Sequence, residues 1–300
     1  MYYLVYALLY LISLLPFFIL YAISDIVFFI LYFIIGYRKK IVIKNLEIAF
    51  PENTERERKK IMFRFYRNLI DTFIETIKLL SISRANFERR AQVNDSVLLE
   101  LEKKGLAVEL FSGHQMNWEY AHLATSGNLS VPWIGVYMHI NNATTNRLFL
   151  KIRSKYDAVM ISAGDFSKKI RNYYGKPYML ALIADQNPGV PKNAYWLNFF
   201  NKPAPFPAGP EKGAVRNKTA VVFVNFVKLK RGYYRFETKL VTENAAFMQD
   251  GELTRLYRDF LESSIRKQPD NYLWSHRRWK VPYDSTLAKR WIDSTEPPAV

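Results

Sequence analysis

The first 37 residues are almost entirely apolar, and this stretch constrains the chain more than any other. Its only formally charged side chain is Asp25. The stretch reads as two apolar runs, residues 2–23 and 26–35, separated by Ser24-Asp25. A helix needs about 20 apolar residues to span the hydrocarbon core of a bilayer. The first run is therefore long enough to span, and the second is a re-entrant or interfacial helix or half of a hairpin.

A cluster of cations, Arg38-Lys39-Lys40 with Lys44, follows the apolar stretch. A cleavable signal peptide needs cations before its apolar part and small residues after it, and this chain has neither. Cations beside a membrane segment stay on the cytoplasmic side. We therefore predict a membrane anchor over residues 1–37 and one cytoplasm-facing domain over residues 38–300. The alternative for the apolar stretch is a buried core helix of a soluble fold.

The chain is strongly basic and has no cysteine. It has 300 residues, of which 43 are Lys or Arg and 27 are Asp or Glu, giving a formal charge of +16. Such a surface favours an acidic partner: anionic lipid, nucleic acid or an acidic protein. The lack of cysteine excludes disulfides, cysteine-bound zinc and a cysteine nucleophile. Any thioester chemistry must therefore use a thiol that the substrate supplies.

A helix start is well marked after Phe50-Pro51, because Thr54 and Glu57 have the spacing of a capping box. Apolar and aromatic residues recur through this segment up to Ile77, and its other face is basic. That basic face predicts contact with an anionic membrane surface or, equally, an ordinary solvated helix face.

Beyond Arg89, short apolar runs alternate with helix-like segments. The predicted buried strands are residues 106–111, 133–138, 158–162 and 178–184. Residues 221–229 and 233–241 then form a predicted hairpin, and a last helix over residues 252–267 ends before Pro269. Strands separated by helical crossovers predict an α/β fold with a mostly parallel sheet flanked by helices. Ligands of such sheets bind beyond the carboxyl ends of the strands.

Polar residues follow the predicted strand 106–111 directly, in the segment Ser112 to Glu119. His114 lies at the strand-to-helix turn, and Glu119 comes about a turn and a half later. If the carboxylate reaches one imidazole nitrogen, the other is free to remove a proton from an alcohol that attacks an acyl carbonyl. We therefore predict His114 and Glu119 as a catalytic dyad. The alternative is a capping histidine with a surface glutamate.

The order and setting of these residues resemble the His-x4-Asp/Glu signature of glycerolipid acyltransferases. Over nearly the whole chain the sequence resembles one branch of them, the lipid A biosynthesis acyltransferases, which add secondary acyl chains to a Kdo-bearing lipid A precursor. The similar segments are the apolar anchor, Gly36 to Lys40, Lys44 to Leu46, Phe50-Pro51, Gly113 to Glu119, Val136-Tyr137, Ala184 to Gln186 and Tyr272 to Lys280.

The resemblance implies an acyltransferase in which His114 and Glu119 are the catalytic dyad. It also implies substrate-binding roles for Arg153, on the helix after Val136-Tyr137, and for Asp185, which ends a predicted strand. An arginine there suits a phosphate or a developing oxyanion. The alternative is that Arg153 and Asp185 form a structural ion pair between two crossovers.

Two segments depart from the pattern or extend it. Many family members have Arg-Pro after Val-Tyr, whereas this chain continues with Met138-His139-Ile140 and lacks that possible phosphate-binding cation. We interpret His139 as an exposed loop residue. The segment from Trp274 to Lys280 is dense in cations and aromatics and suits base stacking, a sugar phosphate or membrane docking. We interpret His276 as structural, because it lies far along the chain from the strand-end residues.

These features predict late acylation in lipid A and lipopolysaccharide biosynthesis at the bacterial inner membrane. The expected partners are acyl carrier protein, whose acidic surface matches the +16 charge, and an anionic glycolipid acceptor. Neither a metal nor another cofactor is expected, and the anchor argues against nucleic acid. The alternatives are the same chemistry on a lysophospholipid, aminolipid or phosphoinositol glycolipid, and a non-catalytic membrane-tethered binding protein.

Overall fold

A computed structural model describes residues 1–127 and 129–298, and a seven-stranded sheet lies at its centre. The helices of the first third are α1 (Tyr2–Leu14), α2 (Phe17–Phe29), α3 (Lys39–Ala49), α4 (Glu55–Lys78) and α5 (Arg84–Glu88). The strands of the central sheet are β1 (Ala91–Asn94), β2 (Val108–Ser112), β3 (Trp133–Tyr137), β4 (Val159–Ser162), β5 (Met179–Ile183), β8 (Ala220–Lys230) and β9 (Tyr233–Thr242). Between β5 and β8, the strands β6 (Tyr195–Phe199) and β7 (Lys202–Phe206) form a separate small hairpin. The remaining α-helices are α6 (Ser96–Lys103), α7 (Trp118–Ser126), α8 (Ala143–Arg153), α9 (Phe166–Lys169), α10 (Gly209–Asn217) and α11 (Glu252–Lys267).

The sheet has the order β1-β9-β8-β2-β5-β3-β4. All neighbours pair in parallel except β8 and β9, which form an antiparallel hairpin. The predicted α/β class, the mostly parallel sheet and the hairpin are therefore confirmed. The edge strand β1 was not predicted, because it has four residues and pairs with the distant β9. The separate hairpin of β6 and β7 was not predicted either; each of its strands has five residues.

The N-terminal helices differ from the prediction in where they break. The break falls at Leu15-Pro16, since proline lacks the N–H that a continuous helix needs, and not at Ser24-Asp25. Ser24 stays helical because its hydroxyl donates a hydrogen bond to the Asp71 carboxylate, 2.7 Å away. Helix α2 continues as a π-helical turn to Ile35. Among the described helices, the 19 residues Phe17–Ile35 form the one long and apolar enough to cross a membrane.

Helix α4 begins where its sequence predicts. Thr54 accepts a hydrogen bond from the backbone N–H of Glu57, and the Glu57 carboxylate accepts one from the backbone N–H of Thr54 at 2.7 Å. This capping box satisfies two backbone donors that otherwise lack partners. One face of α4 is exposed and basic, whereas the opposite face is buried and carries two acids, Asp71 and Glu75. The exposed cations are Arg56, Lys59, Lys60, Arg64 and Arg67.

Strand β2 is buried along its whole length, yet it carries a carboxyl group at Glu109. Within the described residues this carboxyl has no hydrogen-bond or ion-pair partner, and it packs beside Gly213 of α10. Burial raises the pKa of Glu109 to about 8, although the charge of Arg216 acts in the opposite direction. The group is therefore largely protonated in the folded chain at neutral pH.

This position predicts a pH-dependent stability. The Glu109 carboxyl ionises near its ordinary pKa of 4.5 when unfolded and near 8 when folded, so its contribution to stability is present below pH 4.5 and is lost as pH rises through 8. Glu109→Gln removes that titration. We expect the variant to gain stability over wild type as pH rises across this interval, by a few kcal/mol at about 1.4 kcal/mol per pKa unit.

Denaturant unfolding in detergent at several pH values measures this difference. The exposed Glu47→Gln is the matched control and should show no such trend. A stability difference between Glu109→Gln and wild type that is constant from pH 4.5 to 8.5 would contradict the assignment.

Candidate active site

The site is built where β2 and β5 end side by side. These strands pair in register up to Ser112 and Ile183, so the loops that follow them meet. The Nδ1 atom of His114 lies 2.6 Å from Oδ1 of Asp185, and the backbone N–H of His114 also donates to this carboxylate at 3.1 and 3.2 Å. The Tyr272 hydroxyl donates to the other carboxylate oxygen at 2.8 Å. Asp185 is thus held by three donors and orients the imidazole of His114.

The electrostatics of this pair favour an ionised carboxylate beside a basic imidazole. Burial opposes protonation of His114, but the charge of Asp185 and the hydrogen bond to it raise the pKa of the imidazole above 6.5. Burial likewise opposes ionisation of Asp185, but His114 and the hydrogen bonds hold the pKa of this carboxyl well below its usual range. The imidazole is therefore more basic than a free histidine, as a general base needs to be.

The other imidazole nitrogen, Nε2, has no hydrogen bond within residues 1–127 and 129–298. It belongs to a side chain that lines a cavity of about 1010 Å³. The cavity opens where β3 and β5 separate, because these strands pair only from Trp133 to Gly135. Its apolar walls include Trp118, Trp133, Ile170, Ala181, Leu182 and Val224. A reactive nitrogen therefore faces a space with walls that suit a hydrocarbon chain.

Glu119 is paired with Arg153 rather than with His114. The Arg153 Nε donates to both carboxylate oxygens at 2.9 and 3.1 Å, and the Nη2 donates to Oε1. The indole N–H of Trp118 donates to the same carboxylate at 3.1 Å. The predicted contact of Glu119 with the imidazole is therefore corrected, as is the alternative ion pair of Arg153 with Asp185. His114, Glu119 and Arg153 line one cavity, and Asp185 is bonded to His114, so the four predicted residues do lie together.

The carbonyl end of Arg153 is fixed as well. The indole N–H of Trp133 donates to Nδ1 of His122 at 3.1 Å, which leaves Nε2 as the proton-bearing nitrogen, 2.8 Å from the Arg153 carbonyl oxygen. Burial lowers the pKa of His122, so the ring is neutral in this role. His122 was not singled out from the sequence, and it acts as a brace for the end of α8.

The loop that carries His114 is held in place by two buried side chains, the amide of Asn117 and the carboxyl group of Glu75. The Oδ1 atom of Asn117 accepts from the backbone N–H of Tyr120 and caps α7, while its Nδ2 donates to Glu75 at 3.0 Å. Glu75 is fully buried on α4. In the sequence, Asp71 and Glu75 are two acids four residues apart among the apolar residues of a predicted helix, and that spacing was the signal that could have marked Glu75.

The C-terminal segment also reaches the site, so His276 lies close to the strand-end residues although it is far from them along the chain. Its ring lies parallel to that of His114 with centroids 6.4 Å apart, and burial lowers its pKa to about 4. The side-chain amide of Asn45 donates to the carbonyl oxygens of Trp274 and His276 at 2.8 and 2.7 Å. His276 is thus a neutral wall of the site, held there by a residue from the start of the chain.

Arg278, in the same segment, is buried with one hydrogen bond, from its Nη1 to Oδ1 of Asn187 at 2.7 Å. Its guanidinium packs on the rings of Phe199 and Phe206, at 5.2 and 4.3 Å. From the sequence, these aromatics are candidates for the apolar cleft of an acyl chain, with plain core as the alternative; they belong to the main core and do not line the cavity. His139 is exposed, as predicted.

Comparison with known proteins identifies the family of the chain. A family model of bacterial lipid A biosynthesis acyltransferases matches residues 1–281. The chain is 23% identical over 265 residues to a lipid A biosynthesis palmitoleoyltransferase of Escherichia coli K12, covering 81% of this chain and 79% of the relative. The same values relate it to a lipid A biosynthesis acyltransferase of Shigella flexneri. A chain matched over most of its length, with a basic histidine at an apolar cavity, belongs to the bacterial lipid A biosynthesis acyltransferases.

Proposed function

We propose that this acyltransferase moves a fatty acyl chain from acyl-acyl carrier protein to a hydroxyl of an anionic lipid A precursor, at the cytoplasmic face of the inner membrane. The observation that carries the proposal is His114: its Nδ1 is bound to the buried Asp185, and its Nε2 faces a largely apolar cavity. A base oriented in this way suits an alcohol nucleophile.

In the proposed reaction the acceptor oxygen attacks the thioester carbonyl while Nε2 of His114 takes the hydroxyl proton. Asp185 keeps Nδ1 protonated and stabilises the imidazolium that forms. The tetrahedral intermediate then collapses, the carbon–sulfur bond breaks, and Nε2 returns its proton to the departing carrier thiolate. The products are an ester and a free thiol, and no metal or other cofactor takes part.

Arg153 has the position to bind an anion in the same cavity. Glu119 occupies its Nε and one terminal nitrogen and so fixes the plane of the guanidinium. A fixed cation of this kind suits the developing oxyanion or a phosphate of the acceptor. Glu119 then serves the reaction by positioning Arg153, and Asp185 takes the orienting role that the sequence pattern assigned to Glu119.

The alternatives concern the acceptor and the presence of catalysis. The sequence Met138-His139-Ile140 lacks the cation that many relatives have, which leaves room for a lysophospholipid, aminolipid or phosphoinositol glycolipid. A purely binding protein has no need of a basic imidazole that is held by the buried Asp185 and has its other nitrogen free at the cavity. The cavity walls and the relatives' printed activities favour the lipid A precursor.

The His114–Asp185 pair should behave as one unit. We expect His114→Ala to lose about 10²–10⁴-fold in turnover, which is the usual worth of a general base. Asp185→Asn should also lose activity, and the double variant should be scarcely slower than His114→Ala, because Asp185 then has no imidazole to act on. The assay is transfer of labelled acyl chains to lipid A precursor in detergent.

His139→Ala, an exposed histidine, is the matched control and should keep near-normal turnover. Circular dichroism of every variant checks folding. Near-normal turnover by well-folded His114→Ala, or losses that multiply in the double variant, would reject this mechanism.

A second cycle separates the role of Glu119 from that of Asp185. If Glu119 acts through Arg153, the variant Glu119→Gln/Arg153→Met should be no slower than its slower parent. The variant Glu119→Gln/Asp185→Asn should instead show losses that roughly multiply. Glu88→Gln, which removes a carboxylate from an exposed arginine pair, controls for loss of charge. Two results would show that Glu119 acts on the imidazole of His114 instead: losses that multiply when Glu119→Gln is combined with Arg153→Met, or a combined loss with Asp185→Asn no larger than that of the slower single variant.

The donor should approach through charge attraction. With a formal charge of +16, the chain should attract the acidic carrier protein, so kcat/KM should fall as salt shortens the Debye length below about 10 Å. Stopped assays from low to high salt, with acyl-acyl carrier protein and with an acyl donor that lacks the carrier, measure the effect. Equal salt dependence for both donors contradicts carrier recognition.

A faster reaction with lysophospholipid than with lipid A precursor contradicts the proposed acceptor.

A further inference from the structure

The apolar helix Phe17–Ile35 lies lengthwise against α4 instead of projecting from the domain. Along the contact, Tyr21 donates to Glu75 at 3.0 Å and Ser24 donates to Asp71 at 2.7 Å. Asp25 is paired with Arg231, at 2.8 Å, in the turn between β8 and β9. The side of the helix that faces the domain is therefore bound by specific polar contacts in addition to the packing of Leu20 and Phe28 in the core.

Both ends of this helix are held by the same domain. Before its start, the Lys78 ammonium donates to the carbonyl oxygens of Ser13 and Leu15 at 2.7 and 2.9 Å. After its end, the Tyr66 hydroxyl donates to the carbonyl oxygen of Tyr37. Tyr66 and Lys78 lie on one helix, α4, whose exposed basic face keeps it out of a hydrocarbon core, so the two ends of the apolar helix are on the same side of the membrane.

The outer face of the same segment is apolar and exposed. It is formed by large side chains from both N-terminal helices and the π-helical turn: Leu4, Leu8, Leu11, Leu14, Phe18, Ile26, Phe29, Phe33, Ile34 and Ile35. A continuous apolar surface of this kind is rare on a soluble domain and marks an interaction site.

Cations border this apolar face. The Lys39 ammonium lies 3.7 Å from the centre of the Tyr32 ring, and on the other side Arg147 of α8 packs on Tyr2 at 4.1 Å. Cations and tyrosines around an apolar surface suit the headgroup region of an anionic bilayer. Charge and apolarity together therefore identify the occupant of this face as one leaflet of anionic phospholipid.

A membrane-spanning arrangement conflicts with these contacts. The helix of 19 residues is about 28 Å long, enough to cross the hydrocarbon core. Crossing, however, either breaks the contacts of Tyr21, Ser24 and Asp25 or brings Asp71 and Arg231 to the bilayer midplane, where charged groups are costly.

We propose that residues 2–35 lie in the plane of the cytoplasmic leaflet as an interfacial pair of helices, and that no part of residues 1–37 crosses the bilayer. The proposal rests on the membrane location given under Proposed function. It replaces the expected span with a shallow insertion of the outer face, about 5–10 Å deep for such helices.

The absence of cysteine from the chain makes a direct test simple. Single variants Phe18→Cys, Ile26→Cys and Ile34→Cys place a fluorophore at the start, middle and end of the exposed face, where these side chains are 74%, 62% and 69% exposed. The probe is quenching by shallow and deep spin-labelled lipids in vesicles of phosphatidylethanolamine and phosphatidylglycerol. An in-plane helix gives the same ratio of shallow to deep quenching at all three positions. A spanning helix makes Ile26 the deepest, and this result overturns the proposal.

The side of the membrane on which a residue is labelled distinguishes failure of the in-plane arrangement from failure of the proposed cytoplasmic location. In spheroplasts, a membrane-impermeant maleimide should label neither Leu14→Cys, beside the turn between the helices, nor Ser285→Cys, an exposed position in the domain. In inverted vesicles, Ser285→Cys should be labelled. Periplasmic labelling of Leu14→Cys alone overturns the in-plane arrangement and keeps the cytoplasmic domain. Periplasmic labelling of Ser285→Cys overturns both.

Discussion

The arrangement of the chain depends on the hydrogen bonds that the buried carboxyl group of Glu75 accepts. This carboxyl group accepts hydrogen bonds from Tyr21 of α2, from Asn117 in the loop that carries His114, and from Tyr234 of β9. Burial raises the pKa of Glu75 above its ordinary value. Because the carboxyl group is shielded from water, removing one of these donors leaves a buried oxygen without that partner, which destabilises the fold. One group on α4 therefore joins the apolar N-terminal helix, the sheet and the loop of the site.

The active site is closed by segments from opposite ends of the chain. Asn45, in α3, binds the backbone beside His276, and Arg38 donates to the carbonyl oxygen of Ser275 at 3.1 Å. The same C-terminal segment supplies Tyr272, which donates to Asp185. The His114–Asp185 pair is thus enclosed by segments from both ends of the chain that pack on the sheet.

Helix α8 connects the apolar N-terminal surface to the cavity. Its outer residues Arg147 and Lys151 pack on Tyr2 and Tyr6 of α1, and its last residue, Arg153, lines the cavity beside Glu119. The proposed lipid acceptor comes from the bilayer, and α8 contacts the proposed membrane-facing surface at one side and the cavity at its end. The proposed membrane surface and the proposed anion site belong to one structural unit.

Much of this protein was determined by its sequence alone. The apolar first 37 residues, the capping box of Thr54, the parallel strands and the His114 turn all follow from patterns within a few residues, because helix and strand periods are local properties. Resemblance of whole segments then indicated the family, which the family model confirms over residues 1–281.

Only the tertiary structure decided which groups pair. His114 and Asp185 are 71 residues apart and meet because β2 and β5 are neighbours in register, an order that no local pattern specifies. Glu119, close in sequence to His114, is drawn instead to Arg153, because a carboxylate buried beside a guanidinium gains both charge compensation and several hydrogen bonds. Spacing along the chain indicated which residues are candidates for the site. The strand order and the cost of burying an unpaired charge determined which of these residues pair with each other.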